Sequence, residues 1–222
     1  MMERTIRVTG KGRISVKPDR IQLGIEASGI YKEYTESVKK SAEDTALIRE
    51  ALTKAGLDPH DLKTDRFSVD IEKESYQDNR NNWKKRFVGY KYDHDMHIIF
   101  PNDNKILGKV LYELSVCPAK VEFSIRYTVQ DTEIAKNTLL ERTIADSKKK
   151  ATLLTKAAGV KLGDIVTIDY SWGKLEIYSH TMDKMTLCDS PIDIAGDYSY
   201  DIDVEADNIE VEDIVTVVWE IR

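Results

Sequence analysis

The sequence predicts an α+β fold, with antiparallel or mixed sheets packed against two long helices and one short helix. Three observations predict it. Apolar and polar residues alternate in several separate segments, the mark of a half-buried strand. Elsewhere apolar residues recur every three to four positions, the mark of an amphipathic helix. One pattern, G-Φ-x-x-x-D-Φ-x-T with Φ aliphatic, then occurs twice, as Gly56–Thr64 and Gly159–Thr167. Each copy follows Leu-Thr-Lys-Ala (Leu52–Ala55, Leu154–Ala157) and leads into an alternating segment. The reading is helix, glycine stop, loop, strand, used twice, in the element order β-β-α-β-β-α-β-α-β-β.

Residues 5–17 alternate, with Ile6, Val8, Gly10, Gly12, Ile14 and Val16 on one face. Pro18-Asp19 suits a turn, and Ile21, Leu23, Ile25 and Ala27 continue as a second strand. The simplest pairing of these two is an antiparallel hairpin. Over 33–55 the period changes: Tyr34, Val38, Ser41, Thr45, Ile48, Leu52 and Ala55 form one helical stripe. Gly56 fits the left-handed position just past the helix end, where it carries no Cβ penalty.

Phe67, Val69 and Ile71 mark a strand, and the polar run 73–86 is expected as an exposed loop. Val88, Tyr90, Tyr92, Met96, Ile98 and Phe100 return the chain as a strand. Pro101-Asn102-Asp103 breaks it and caps a short helix striped by Ile106, Leu107, Val110, Leu111 and Leu114. Val121 to Val129 alternate again. Asp131 and Thr132 are the expected caps of the longest helix, which runs to about residue 158 with Leu140, Ile144, Ser147, Ala151, Leu154 and Ala158 as its stripe. Its small residues would let it lie close on a sheet. A strand through Val166 to Trp172 follows, then an irregular acidic excursion at 179–208, and a last strand over 209–221 that would pair with 165–178. All of this is expected as a single domain, 1–222.

The chain has 222 residues, with 41% hydrophobic and 32% charged residues and a net charge of −6. That balance is ordinary for a globular protein and argues against a nucleic-acid footprint. No apolar run approaches the roughly 20 residues of a membrane-spanning helix. The N-terminal Met1-Met2-Glu3-Arg4-Thr5 lacks the apolar core of a leader. As written, the chain reads as cytoplasmic; the periplasm or cell envelope is the alternative if a leader has been removed. Cys117 and Cys188 form neither a disulfide framework nor a zinc site, and are expected as two reduced thiols.

Each candidate site has a simpler structural explanation. Gly10-Lys11-Gly12 sits inside a strand, where glycine marks a bulge or a close backbone approach rather than a phosphate loop. His94 and His97 lie among Asp93 and Asp95, but positions three apart in a strand face opposite ways. His94 is therefore expected as a satisfied core or edge histidine. His60 is a loop residue, and His180 has no evident partner. Asp201, Asp203, Glu205 and Asp207, with Glu212, partly mimic a calcium loop; a strand with a solvated acidic face fits as well. Met185 to Ile221 carries no basic residue, so a docking surface for a basic partner is a further reading. Lys148-Lys149-Lys150 is expected on a solvent face beside Asp146, and Trp83 with Lys84-Lys85-Arg86 is a candidate contact for a partner or an anionic surface, against the simpler reading of a hairpin tip whose tryptophan folds back. No catalytic, cofactor or metal residue is assigned: no G-x-S-x-G, H-E-x-x-H, C-x-x-C or dinucleotide fingerprint is present.

Taken in order, the landmarks resemble the SIMPL domain family. Val8-Thr9-Gly10-Lys11-Gly12 with Val16-Lys17-Pro18-Asp19 resembles its V-x-G-x-G…P-D opening. Ala51-Leu52, Gly56-Leu57 and Asp61-Leu62-Lys63-Thr64 resemble its A-L…G-I…D-I-x-T segment. Gly89-Tyr90, Leu107 to Leu111, Ala145 to Ala151, Ala158-Gly159 with Leu162-Gly163, and Val215 to Val218 follow in register with its later motifs. The long helix is richer in lysine than the alanine-rich family norm. The resemblance implies no agreed catalytic residues. It implies association with the cell envelope, stress tolerance and protein interaction, with self-association. The function expected is therefore non-enzymatic, acting by self-assembly as a homo-oligomer or by binding a protein partner. An enzyme with an unrecognised site, and a cation-binding module using 201–212, are the alternatives.

Overall fold

The computed structural model describes residues 4–170, 177–186 and 205–222. In chain order the elements are β1 (Thr5–Val16), β2 (Arg20–Tyr31), α1 (Tyr34–Lys54), β3 (Lys63–Gln77), β4 (Trp83–Pro101), α2 (Asn104–Ser115), β5 (Val121–Thr128), α3 (Thr132–Ala157), β6 (Leu162–Asp169), β7 (Ser179–Thr186) and β8 (Ile209–Ile221). The fold is α+β with antiparallel sheets, as expected. One strand is additional: β7 lies inside the stretch read as irregular, where no alternation of apolar residues announces it. The described residues group into two compact units.

The first unit holds the sheet β1-β8-β6 and helix α3. β6 and β8 pair antiparallel, as the sequence suggests. β1 does not pair with β2; it runs antiparallel to β8 along its whole length, from Thr5 opposite Glu220 to Val16 opposite Ile209. The expected hairpin fails because β2 belongs to the other sheet, between β4 and β5. Period two specifies a strand but not its neighbour.

The glycines of β1 set the distance to α3. A Cβ at Gly10 would stand 2.1 Å from the Thr143 carbonyl oxygen, and one at Gly12 2.7 Å from that of Leu139. The helix backbone occupies the space that side chains would need. Mostly small residues line its inner face accordingly: Ala135, Thr143, Ser147, Ala151 and Thr155 are buried, together with Leu139. This stripe is rotated from the expected one. Leu154 is exposed, because the glycine cleft selects small side chains over large apolar ones. Ser147 Oγ donates to the Val8 carbonyl at 3.4 Å. Lys150 pairs with Asp146 at 2.7 Å, and Lys148 to Lys150 face solvent as expected.

The second unit is built as β2-α1-β3-β4-α2-β5, with strand order β3-β4-β2-β5-β7. This is the split β-α-β arrangement. The helix-facing side of the sheet carries Ile21, Leu23, Ile25, Tyr92, Met96, Ile98, Phe123 and Ile125, packed with Ile48, Leu52, Leu107 and Leu111. Residues 73–86 are mostly strand: β3 and β4 extend as a hairpin, and only 78–82 turns. Side chains rather than apolar alternation hold it. Glu74 pairs with Arg86, Lys84 with Asp78 at 3.0 Å, and the Arg86 guanidinium lies 5.8 Å from the Tyr76 ring centre.

The repeated nine-residue pattern does the same work at both helix ends. Gly56 and Gly159 have φ of 90° and 72°. Gly56 N–H bonds Thr53 O, and Leu57 N–H bonds Leu52 O; Gly159 and Val160 repeat this with Lys156 and Thr155. Both are Schellman stops, which satisfy the last carbonyls of the helix. The copies then diverge. Pro59–Asp61 forms a 3-10 turn, with Asp58 accepting from the His60 amide at 2.8 Å, while β6 has already begun at Leu162.

Candidate functional site

One face of the five-stranded sheet carries no helix among the described residues, and it is polar. There Gln22, Gly24, Glu26, Asp65, Asp95, His97, Ser124 and Arg126 line a shallow cavity of about 180 Å³. From Gly89 onward, alternation places the odd-numbered residues of β4 on this face and the even-numbered ones against the helices. His97 and His94 therefore point to opposite sides, as the sequence predicts.

His97 Nδ1 lies 2.8 and 2.9 Å from the two carboxylate oxygens of Asp65. A carboxylate only accepts, so Nδ1 carries the proton, and in the neutral ring Nε2 is the acceptor. A bulge makes this contact. Thr64 faces Met96 and Arg66 faces Asp95, so Asp65 is an inserted residue in β3. Consecutive residues of a regular strand face opposite ways, yet Asp65 and Arg66 both reach the polar face. Arg66 Nε donates to Asp95 Oδ2 at 2.9 Å. Sequence reading missed Asp65, because Thr64-Asp65-Arg66 has no alternation to reveal a bulge.

Gly24 stands opposite His97 in the β2–β4 ladder. A Cβ there would meet Ser124 Oγ at 2.6 Å, so the serine hydroxyl overlies the glycine. Asp65, His97, Gly24 and Ser124 thus form a row across four strands. The set contains a carboxylate, an imidazole and a hydroxyl. The strand amides beneath it are engaged in the sheet ladder, and the cationic groups at the shelf are Arg126 and Arg66, the latter bonded to Asp95.

His94 is a satisfied, half-buried histidine. Thr45 Oγ1 donates to the Ser41 carbonyl at 2.8 Å and therefore accepts from His94 Nδ1 at 3.2 Å. His94 Nε2 then accepts from Thr64 Oγ1 at 2.9 Å. Burial holds its pKa below the ordinary histidine value. Beside it, Tyr92 donates its hydroxyl to Asp44 of α1, and burial followed by that carboxylate pushes the phenol upward. Burial likewise raises the free thiol of Cys117.

The outer edge of the same sheet forms a second candidate surface. β3 is an edge strand bonded to β4 on one side. Phe67 and Ile71, 47% and 54% exposed, lie on its helix-facing side, and Phe87 is exposed near them on β4. Phe87 and Tyr34 both pack edge-on against Tyr90, at 5.4 and 5.8 Å. Trp83, at the hairpin end, is 72% exposed and does not fold back.

The remaining candidates separate. Asp201 and Asp203 lie outside the described residues, as does Cys188. Glu212 is in β8, where Lys11 and Arg13 of β1 bind its carboxylate and hold it below its usual pKa. That makes it a cross-strand ion-pair partner. Asp61 is exposed in the 3-10 turn, and Asp164 is 3.7 Å from Arg222. His180 lies in β7. Among the described residues no cluster of His, Cys, Asp and Glu could hold a metal ion, and no helix is long and apolar enough to cross a membrane.

Comparison with known proteins identifies the family. The SIMPL family model, described as a protein of unknown function (DUF541), matches residues 6–219. The chain belongs to the SIMPL family. Among curated proteins it is 27% identical over 165 residues to the 26 kDa periplasmic immunogenic protein of Brucella abortus, covering 73% of this chain and 65% of that protein. It is 26% identical over 164 residues to the protein of the same name from Brucella melitensis biotype 1, again covering 73% and 65%. The match thus spans less than two thirds of the length of these relatives.

Proposed function

We propose that this SIMPL protein works by protein association rather than catalysis, in the cell envelope. The observation that carries this is the exposed edge of the five-stranded sheet. A long strand whose outer edge pairs with no other strand among the described residues, beside Phe67, Ile71, Phe87 and Trp83, is a template for another chain. Isolated exposed apolar residues are normal, but a row along a sheet edge marks an interaction surface. The periplasmic names of the Brucella relatives support the envelope as the place. Size-exclusion chromatography with light scattering tests the association. A mass above one chain that grows with concentration is expected; a strict monomer throughout overturns it. Fractionation of cells expressing the natural gene tests the compartment.

A second reading rests on the row Asp65, His97 and Ser124. A hydroxyl near an imidazole that is oriented by a carboxylate is the composition of a nucleophilic acyl-transfer site. In that reading Ser124 attacks a carbonyl, His97 takes its proton and returns it to the leaving group, and water releases the acyl enzyme. Labelling with a fluorophosphonate, read by mass spectrometry at Ser124 with Ser124→Ala as control, tests it. Absence of the adduct removes this reading and leaves association untouched.

A further inference from the structure

The β3 edge contains a segment complementary to itself. Arg66 to Glu72 reads Arg-Phe-Ser-Val-Asp-Ile-Glu, and Val69 is its centre. Reversed against a second copy, it sets Arg66 against Glu72, Phe67 against Ile71 and Ser68 against Asp70. We propose that a second copy of this chain docks antiparallel on β3, across a two-fold axis through Val69, so that the two sheets become one. The proposal rests on the association reading above and names its partner and register.

Three constraints select this register. A two-fold axis normal to the sheet is the symmetry that joins identical edges antiparallel with their faces matched. Every residue then pairs with one on its own face, so only pairings centred on a residue are allowed. Centring on Asp70 sets that carboxylate against itself. Centring on Ser68 brings the bulge at Asp65 into the join opposite Ile71 and interrupts the ladder there. Centring on Val69 places opposite charges across the join twice and lays Phe67 on the partner's Ile71 twice. Opposite charges and aromatic–aliphatic pairs are the favourable cross-strand neighbours.

The strand is shaped for it. The bulge at Asp65 lies just before the segment, and the irregularity at Glu72/Lys73 places its extra residue, Val88, on β4. From Arg66 onward β3 is therefore an uninterrupted strand. The bond from Arg66 to Asp95 at 2.9 Å holds the guanidinium on the polar face, the face of Glu72.

Two experiments on the full chain test the register. Arg66→Glu and Glu72→Arg each set like charges across the join, and each is expected to weaken the dimer by 10-fold or more in sedimentation equilibrium. The double variant restores opposite charges and is expected within 3-fold of the parent. For crosslinking, Phe67→Cys and Ile71→Cys are made separately in a Cys117→Ser, Cys188→Ser background. Directly opposed residues in an antiparallel pair have Cα atoms about 4.5–5.5 Å apart, within disulfide reach. Mild oxidation is expected to link the two chains in the mixture and neither alone, since like positions would be about 13 Å apart at ~3.3 Å per residue. Assembly without rescue, or without a link specific to the mixture, overturns the register and leaves the association reading standing. A parent chain that stays monomeric at every concentration overturns both. Circular dichroism melts confirm that each variant is folded.

Discussion

Gly10→Ala tests how the first unit is held together. The new Cβ would stand 2.1 Å from the Thr143 carbonyl oxygen and 2.7 Å from the Ser147 amide nitrogen, against an ordinary contact of 3.4 Å or more. Both obstacles are backbone of α3, so no side chain can rotate away. The helix must retreat from the sheet by about 1.3 Å, the gap between those separations. A radial gap of about 0.5–1 Å already forfeits a quarter to a half of each dispersion contact. The cluster of Val8, Ala151, Val215, Val217 and Trp219 would be loosened along that seam. Overpacking costs about 1–3 kcal/mol, and an immovable backbone obstacle places this substitution near 3. For a chain of this size about 1 kcal/mol corresponds to roughly 2–4 °C, so Tm should fall by about 6–12 °C. Thermal and urea unfolding followed by circular dichroism measure it. Gly56→Ala is the comparison: its Cβ meets nothing within 4 Å, but its φ is +90°. That left-handed conformation alone costs an L-residue about 1–2 kcal/mol. If Gly10→Ala destabilises no more than Gly56→Ala, the close approach of α3 to β1 is not what positions that helix.

Other outcomes follow from the second unit. His94 has a folded pKa below its unfolded value, so the unfolded chain binds more protons as pH falls below about 6.5. Its contribution to stability is therefore complete above that pH and is lost on acidification towards the folded value. His94→Gln should flatten that part of the pH–stability curve, measured as Tm between pH 5 and pH 8. Tyr92→Phe removes a hydrogen bond to a carboxylate and should cost about 1–3 kcal/mol in urea unfolding. In a Cys188→Ser background, Cys117 should react slowly with a thiol reagent until the protein unfolds, because burial disfavours its thiolate.

The strands, helices and stops were legible because they depend on neighbours in the chain. The Schellman stops at Gly56 and Gly159 and the caps at Asp103 and Asp131 are formed within one turn of sequence. His94 and His97 were separable for the same reason, since alternation along one strand decides their faces. The hairpin of 73–86 was missed because charges opposite one another, Glu74 with Arg86, hold it in place of an apolar alternation. The polar shelf was missed because its members come from four strands. Asp65 reaches His97 only through a bulge, and Ser124 overlies Gly24 only because β5 lies beside β2.

By itself the sequence determined the three α-helices, seven of the eight described strands in their order, the family and the two helix stops; the elements and stops rest on local periodicity and backbone preference. Apart from the pairing of β6 with β8, tertiary structure decided which strands are neighbours. Alternation records which side of a strand is buried and leaves unrecorded what lies at its edges. That is why β1 pairs with the last strand and not the next one, why the buried stripe of α3 follows two glycines far away in sequence, and why β3 has an open edge among the described residues.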